Sequence, residues 1–257
     1  MLEVQGLVKV YGGRRVVDGV DFRVDEGEIV VLLGPNGAGK TTSFRMTCGM
    51  IPPNAGTVLL GGKDVTDWPM YRRCREGGMG YLSQEPSIFR KLTVEKNLLG
   101  VMEMLGFDRR TRRRRCEELL EQLNIAKLRK SLACSLSGGE RRRLEIARAL
   151  VSDPKIILLD EPLTGIDPVT IASIQSIVLE LRGRGIAFLI TDHQVRETLQ
   201  IADRSYVIHD GKVLCEGRPS EVLAHPLARQ IYFGENIRLG GGPAPAPAEP
   251  DAALSAR

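Results

Sequence analysis

The sequence predicts an α/β fold: a P-loop-type core with a mainly parallel sheet, an antiparallel β layer at its start and an inserted helical sub-lobe. Three observations predict this. Glu28–Leu33, Lys155–Leu159 and Ile186–Ile190 are short apolar runs with helical stretches between and after them. Their length and β-branched content suit buried strands, and the alternation with helices calls for parallel strands joined by crossovers. Residues 2–24 alternate roughly around Gly12-Gly13, the pattern of an antiparallel pair. From about Glu85 to Leu150 the period is helical.

In the first segment, Leu2, Val4, Leu7 and Val10 precede Tyr11, and Val16, Val17, Val20, Phe22 and Val24 follow the turn. The run from Glu28 ends at Gly34, and a glycine-rich loop leads to a helix over Lys40–Met50. Within the sub-lobe, expected over 85–150, helices are predicted over Thr93–Leu105 and Asp108–Asn124. In the second, Cys116, Leu119, Leu120 and Leu123 share a face. Arg204–Ile208 and Lys212–Cys215 flank an Asp210-Gly211 turn and read as a hairpin. Ser220 starts a further helix with Glu221 in its first turn. From Gly240 the chain is rich in Gly, Pro and Ala. It has little to bury, so the expected organisation is one domain over 1–238 and a disordered tail over 239–257.

A chain of 257 residues with 42% hydrophobic and 26% charged residues can build a packed core, which excludes global disorder. The net charge of +4 is mild and does not select a partner. No apolar stretch is long enough to span a bilayer, and the first residues lack the features of a signal peptide. Cys48, Cys74, Cys116, Cys134 and Cys215 are scattered without a C-x-x-C pair, which reads as free thiols in a reducing cytoplasm. Cys134 reads as a small packed thiol, with access from solvent as the other reading. Seven residues, Arg109–Arg115, include six arginines. Glu117, Glu118 and Glu121 are close enough to compensate, so a solvated helix start is expected rather than a nucleic-acid site. Contact with anionic lipid or a membrane partner is the second reading.

Gly34, Pro35, Asn36, Gly37, Ala38, Gly39, Lys40 and Thr41, with Thr42 behind them, fit the P-loop pattern between a buried strand and a helix. Such a loop points its N–H groups at phosphate oxygens beside a positive helix end. Lys40 adds a full charge for the β- and γ-phosphates, and Thr41 a hydroxyl for Mg²⁺. About 120 residues on, Ile156–Leu159 delivers Asp160 and Glu161 to a strand's C-terminal end, where ligands gather in open α/β sheets. Asp160 is expected to hold Mg²⁺ and Glu161 to polarise the water that attacks ATP.

Leu136-Ser137-Gly138-Gly139-Glu140 precedes a helical run over Arg141–Val151. Ser137 and Glu140 form a capping box, and the two glycines let a phosphate approach backbone N–H groups at a helix start. Here the chain resembles the ABC ATPases, whose signature motif is LSGGE, over roughly residues 2–234. The resemblance implies the ABC ATPase fold and gives Gln84 the Q-loop, Gly165-Ile166-Asp167 the D-loop, His193 the switch histidine and Tyr11 the adenine-stacking aromatic. It makes Gln84 and His193 catalytic partners of Glu161, Gln84 also a metal ligand, and Asp167 part of the nucleotide site. It implies a head-to-tail homodimer in which Ser137, Gly138, Gly139 and Glu140 of one subunit close on ATP held by the partner.

Several segments resemble a narrower group, the ATPases of lipopolysaccharide export: Tyr81–Glu85, Ser87–Val94, Ser137–Arg143, Asp192–Thr198 and Pro226–Glu235. In that group Ser83 stands where proline is usual, Leu163-Thr164 replaces a Phe-Ala pair, and Gln194 replaces asparagine. This resemblance implies two transmembrane permease partners contacted near Phe89 and Arg90, and a peripheral location on the cytoplasmic face of the inner membrane. An importer ATPase, such as one for branched-chain amino acids, is the alternative. A soluble ABC protein acting on ribosomes or DNA is the alternative from another class.

Overall fold

In the computed structural model, which describes residues 1–85 and 87–234, the chain opens as an antiparallel hairpin. β1 (Leu2–Tyr11) and β2 (Arg14–Val24) are joined through Gly12 and Gly13. Then follow β3 (Ile29–Leu33), α1 (Lys40–Cys48), β4 (Ala55–Leu60), β5 (Lys63–Asp64), α2 (Met70–Glu76) and β6 (Met79–Leu82). The sub-lobe carries α3 (Val94–Met104), α4 (Arg109–Gln122) and α5 (Gly138–Ala149). The chain continues through β7 (Ile156–Asp160), α6 (Pro168–Gly183), β8 (Ala187–Thr191), α7 (Val195–Leu199), β9 (Arg204–His209) and β10 (Lys212–Gly217). It closes with α8 (Pro219–Ala224), α9 (Pro226–Ala228) and a π turn over Arg229–Phe233. α8 begins one residue before Ser220 because Pro219 has the fixed φ suited to a first helical position. The tail expected over 239–257 lies outside the described residues.

Two sheets form. One is antiparallel, in the order β2-β1-β4-β5; the other has six strands, in the order β10-β9-β3-β8-β7-β6. In the second, every neighbouring pair is parallel except β9 with β10. β3 shows why its sequence is apolar without interruption. Ile29, Val31 and Leu33 face a core shared with the sub-lobe, while Val30 and Leu32 face a second core shared with the antiparallel sheet and α1. A strand covered on both faces has no polar side to alternate with.

The sub-lobe does not build a separate core. Val94, Leu98 and Met102 of α3, the Cys116, Leu119 and Leu120 face of α4, and Leu144 and Ala147 of α5 join one cluster with the inner face of the parallel sheet. Asp108 caps α4 by accepting from the N–H groups of Arg110 (2.9 Å) and Thr111 (3.1 Å). Compensation of the arginines comes partly from elsewhere than expected. Glu118 meets Arg114 and Arg115, but Arg112 turns to Glu103 and Arg115 also to Asp153, while Glu117 pairs with Arg129. Arg109, Arg110 and Arg113 are exposed and have no carboxylate partner among the described residues.

Arg73, which carried no signal in the sequence, is wholly buried. Its Nε donates to the Trp68 carbonyl (2.8 Å), Nη1 to those of Met46 (2.9 Å) and Thr47 (2.6 Å), and Nη2 to that of Thr66 (2.8 Å). Burial pulls its pKa down to about 10. Met46 and Thr47 lie in the last turn of α1, so a cation closes the carbonyl end of the helix that opens at the P-loop.

Candidate functional site

Four neighbouring parallel strands, β3, β8, β7 and β6, deliver the candidate site from their C-terminal ends. The loop after β3 carries Gly34–Gly39. Gly34 has φ 140°, and a Cβ on it would lie 2.0 Å from the Ile208 carbonyl oxygen of neighbouring β9, so only glycine fits. Lys40 opens α1 and is buried. Its Nζ donates to the carbonyls of Gly34 (2.5 Å) and Pro35 (2.8 Å), which keeps the ammonium inside the loop. Burial lowers the Lys40 pKa, and the charge of Glu161 opposes that shift. Thr41 is exposed beside it and Thr42 half-buried.

β7 ends at Asp160, which is buried and accepts from the Thr191 hydroxyl of β8 at 3.0 Å. Burial raises its carboxyl above the usual carboxylate range. Glu161 follows in a left-handed conformation, φ 47°, with its N–H donating to the Thr191 carbonyl at 2.7 Å. Gln84, from the loop after β6, donates its amide to Oε2 of Glu161 at 2.7 Å. His193, from the loop after β8, places Nε2 2.8 Å from Oε1. Both carboxylate oxygens are thus engaged by the two residues that the sequence paired with Glu161.

Asp192, to which the motifs assign no role, also belongs to this site. It is buried, and burial raises its carboxyl above the usual range. Its oxygens accept from the N–H groups of Leu163 (2.7 Å) and Gln194 (2.9 Å), locking the loops after β7 and β8 together. Its position directly before His193 was the available signal. Two of the substitutions at Leu163-Thr164 and Gln194 meet here. The Gln194 amide donates to the Leu163 carbonyl at 2.7 Å, and the Thr164 hydroxyl lies 3.4 Å from Asp192.

Ser137, Gly138, Gly139 and Glu140 form the start of α5, which begins three residues before Arg141 because the capping box fixes its first turn. Glu140 accepts from the Ser137 N–H (2.8 Å) and hydroxyl (2.8 Å), and the Glu140 N–H donates back to that hydroxyl (3.3 Å). Space is open around Gly138. Gly139 instead packs on Thr170 of α6, where a Cβ would come 3.1 Å from the hydroxyl oxygen. Asp167 caps α6, accepting from the Thr170 N–H at 3.0 Å. Gly138 and Gly165 line a cleft of about 210 Å³ with Gln84 and Glu161. Tyr11 is half-exposed at the end of β1, with Lys9 Nζ 5.3 Å from its ring centroid.

Phe89 is 41% exposed, and its backbone is held on both sides by buried Asn97, which accepts from its N–H (2.8 Å) and donates to its carbonyl (3.1 Å). The Arg148 guanidinium stacks 4.7 Å from the Phe89 ring centroid. Leu92 and Leu132 are exposed nearby, joined through the Ala133 N–H to Leu92 carbonyl bond of 2.9 Å. Cys134 is exposed, contrary to the packed thiol expected: the 3₁₀ turn Ala133–Ser135 buries Ala133 and turns Cys134 out.

A family model for the ABC transporter matches residues 17–164. The lipopolysaccharide export system ATP-binding protein LptB of Acidithiobacillus ferridurans is 50% identical, over 93% of this chain and 99% of its own length. The chain belongs to the ABC transporter family. It is the ATP-binding, ATP-hydrolysing cassette of that family. The Escherichia coli K12 protein LptB is 47% identical over 93% of the cassette and 99% of its own length. An uncharacterized ABC transporter ATP-binding protein of Rhizobium meliloti is 53% identical over 93% and 88%. Among solved structures, an ATP-binding cassette of an ABC transporter in its ADP conformation superposes with a TM-score of 0.81 at 32% identity, covering 91% of this chain and 99% of its own.

Proposed function

We propose that the chain powers lipopolysaccharide export: two copies close head to tail on two ATP molecules and drive a pair of membrane permease subunits. The cargo reading is supported by relatives named for that system at 46–50% identity, matched over 99% of their lengths. The hydrolytic reading is carried by Glu161, gripped at both oxygens by Gln84 and His193. In this reading Glu161 orients a water toward the γ-phosphorus. The water's oxygen forms the new P–O bond, the bond to the β-phosphate bridge breaks, and ADP and phosphate leave. His193 neutralises oxygens of the transferring group.

Thr41, Asp160 and Gln84 offer a hydroxyl, a carboxylate and an amide oxygen, hard donors that suit Mg²⁺. Asp160 fits a cation for a second reason. Its carboxyl is raised by burial, so that stabilising contribution is present below the unfolded pKa and lost as pH rises through the folded one; a cation offsets the loss. When bound, Mg²⁺ would neutralise charge on the β- and γ-phosphates.

Gly138 and Gly139 present first-turn amides of α5, suited to the partner's γ-phosphate. Val169, 81% exposed beside Asp167, supports a subunit contact at the D-loop. Tyr11 is exposed enough to stack on adenine. The apolar patch of Phe89, Leu92 and Leu132, stiffened by Asn97, suits a permease helix with Arg90 at its edge, and no described helix is long and apolar enough to cross a membrane. A peripheral site on the cytoplasmic face of the inner membrane follows from that assembly.

Three measurements test this reading. Lys40→Ala should weaken ATP binding by roughly 100-fold, the scale of losing one charged phosphate donor; unchanged affinity in a calorimetric titration would overturn the phosphate site. Phe89→Ala should leave nucleotide-driven dimerisation intact and reduce co-purification with the permease subunits. Full recovery of the complex from membranes would reject the docking patch. The cargo is tested by depleting the protein and assaying lipopolysaccharide arrival at the cell surface, where normal arrival would favour an importer.

A further inference from the structure

The P-loop is pressed against two chain segments outside every nucleotide-binding motif. Gly39 has φ 103°, and a Cβ on it would lie 2.6 Å from the Val16 carbonyl oxygen of β2 and 3.4 Å from Cα of Gly211 in the β9–β10 turn. The Gly211 peptide groups tie these layers together. Its N–H donates to the Ala38 carbonyl of the P-loop at 2.9 Å, and its carbonyl accepts from the Asp18 N–H of β2 at 2.8 Å. Gly211 itself has φ 75°, and a Cβ there would meet the Val16 carbonyl oxygen at 2.9 Å and Cα of Val17 at 3.2 Å. Those neighbours are backbone atoms of a paired strand and cannot rotate aside. Lys212 reinforces the seat through Asp18, 3.3 Å away.

We infer that Gly211 is a positioning residue for nucleotide binding, with the β9–β10 turn acting as the seat that holds the P-loop in its phosphate-cradling shape. Any side chain at 211 forces the turn and β2 apart. The turn is hydrogen-bonded to Ala38, so the displacement passes directly into the loop whose N–H groups must converge on phosphate oxygens. Small misplacements of such groups carry large penalties. The inference rests on Gly34–Thr42 being the ATP phosphate site.

The test uses the full-length cassette with ATP and Mg²⁺ and compares Gly211→Ala, Gly211→Asn and Gly61→Ala. Gly61 is also left-handed, φ 56°, but has open space around it, so it reports backbone strain alone. Asparagine tolerates a left-handed backbone yet still carries a Cβ. Both substitutions at 211 should raise KM for ATP roughly tenfold or more while kcat at saturation stays within about twofold, and Gly61→Ala should leave KM unchanged. Parent-like KM in Gly211→Ala, or recovery in Gly211→Asn, would overturn the seat. If the Gly211 variants do not fold, Asp18→Ala removes the half-buried carboxylate that tethers Lys212 and also pairs with Arg15 at 2.7 Å. It should raise KM about two- to fivefold, and an unchanged value would overturn the inference. Failure of the phosphate-site reading is separate: in that case Lys40→Ala binds ATP as the parent does.

Discussion

Glu161→Gln should bind ATP as tightly as the parent and turn it over about 10²–10⁴-fold more slowly, the usual contribution of a positioned general base. The substitution is isosteric but removes the charge and one acceptor. In the parent, Gln84 donates to one oxygen of this carboxylate at 2.7 Å, and His193 Nε2 lies 2.8 Å from the other. Glutamine can accept from one of them through its amide oxygen, while its NH₂ group faces the other. The side chain keeps its length and shape, so the loops can stay in place. The phosphate cradle and Lys40 are untouched. Closed dimers should therefore accumulate with ATP, read as a mass shift in size-exclusion chromatography beside a phosphate-release assay. Turnover near the parent rate would remove Glu161 from the role of base.

The second large effect is on stability. Arg73→Met should destabilise the fold by on the order of 3–5 kcal/mol, because four carbonyls, two of them in buried hydrogen bonds, lose a charged donor at once. In a chain of this size that is roughly a 10 °C fall in Tm. Methionine fills much of the volume, so the loss reports polar satisfaction more than packing. Met46 and Thr47 are among the carbonyls released, so the C-terminal turn of α1 should fray. Arg73→Lys keeps the charge but has no planar fork to reach carbonyls from two segments at once, and should recover only part of the stability. Urea unfolding with an unchanged m-value is the measurement; a loss below about 1 kcal/mol would mean that water replaces the guanidinium at little cost.

Much of this molecule was legible in its sequence for local reasons. The buried strands, the capped start of α5 and the Gly12-Gly13 hairpin are written in stretches of ten to fifteen residues, where periodicity, turn chemistry and caps act on neighbours. The strands β4, β5 and β6 escaped because they lack an uninterrupted apolar run: Gly56 and Gly80 break β4 and β6, and β5 is two charged residues. Lys40, Asp160 and Glu161, read from their motifs, stand at the ends of the parallel strands together with Gln84 and His193, which the resemblance to the ABC ATPases supplied.

By itself the sequence determined the α/β class, the P-loop pattern and the Asp160-Glu161 carboxylates at the end of a buried strand. These depend on residue types at fixed local spacing. Only the tertiary structure decided that Arg73 closes the far end of α1, that Asp192 locks the loops after β7 and β8, that Cys134 faces solvent and that Gly211 seats the P-loop. Each is a contact between segments distant along the chain, or a matter of which side of a turn faces out. The glycines of the P-loop illustrate the difference. Their spacing marks a phosphate loop, but the Ile208 and Val16 carbonyls that forbid a Cβ at Gly34 and Gly39 become visible only when the strands are assembled.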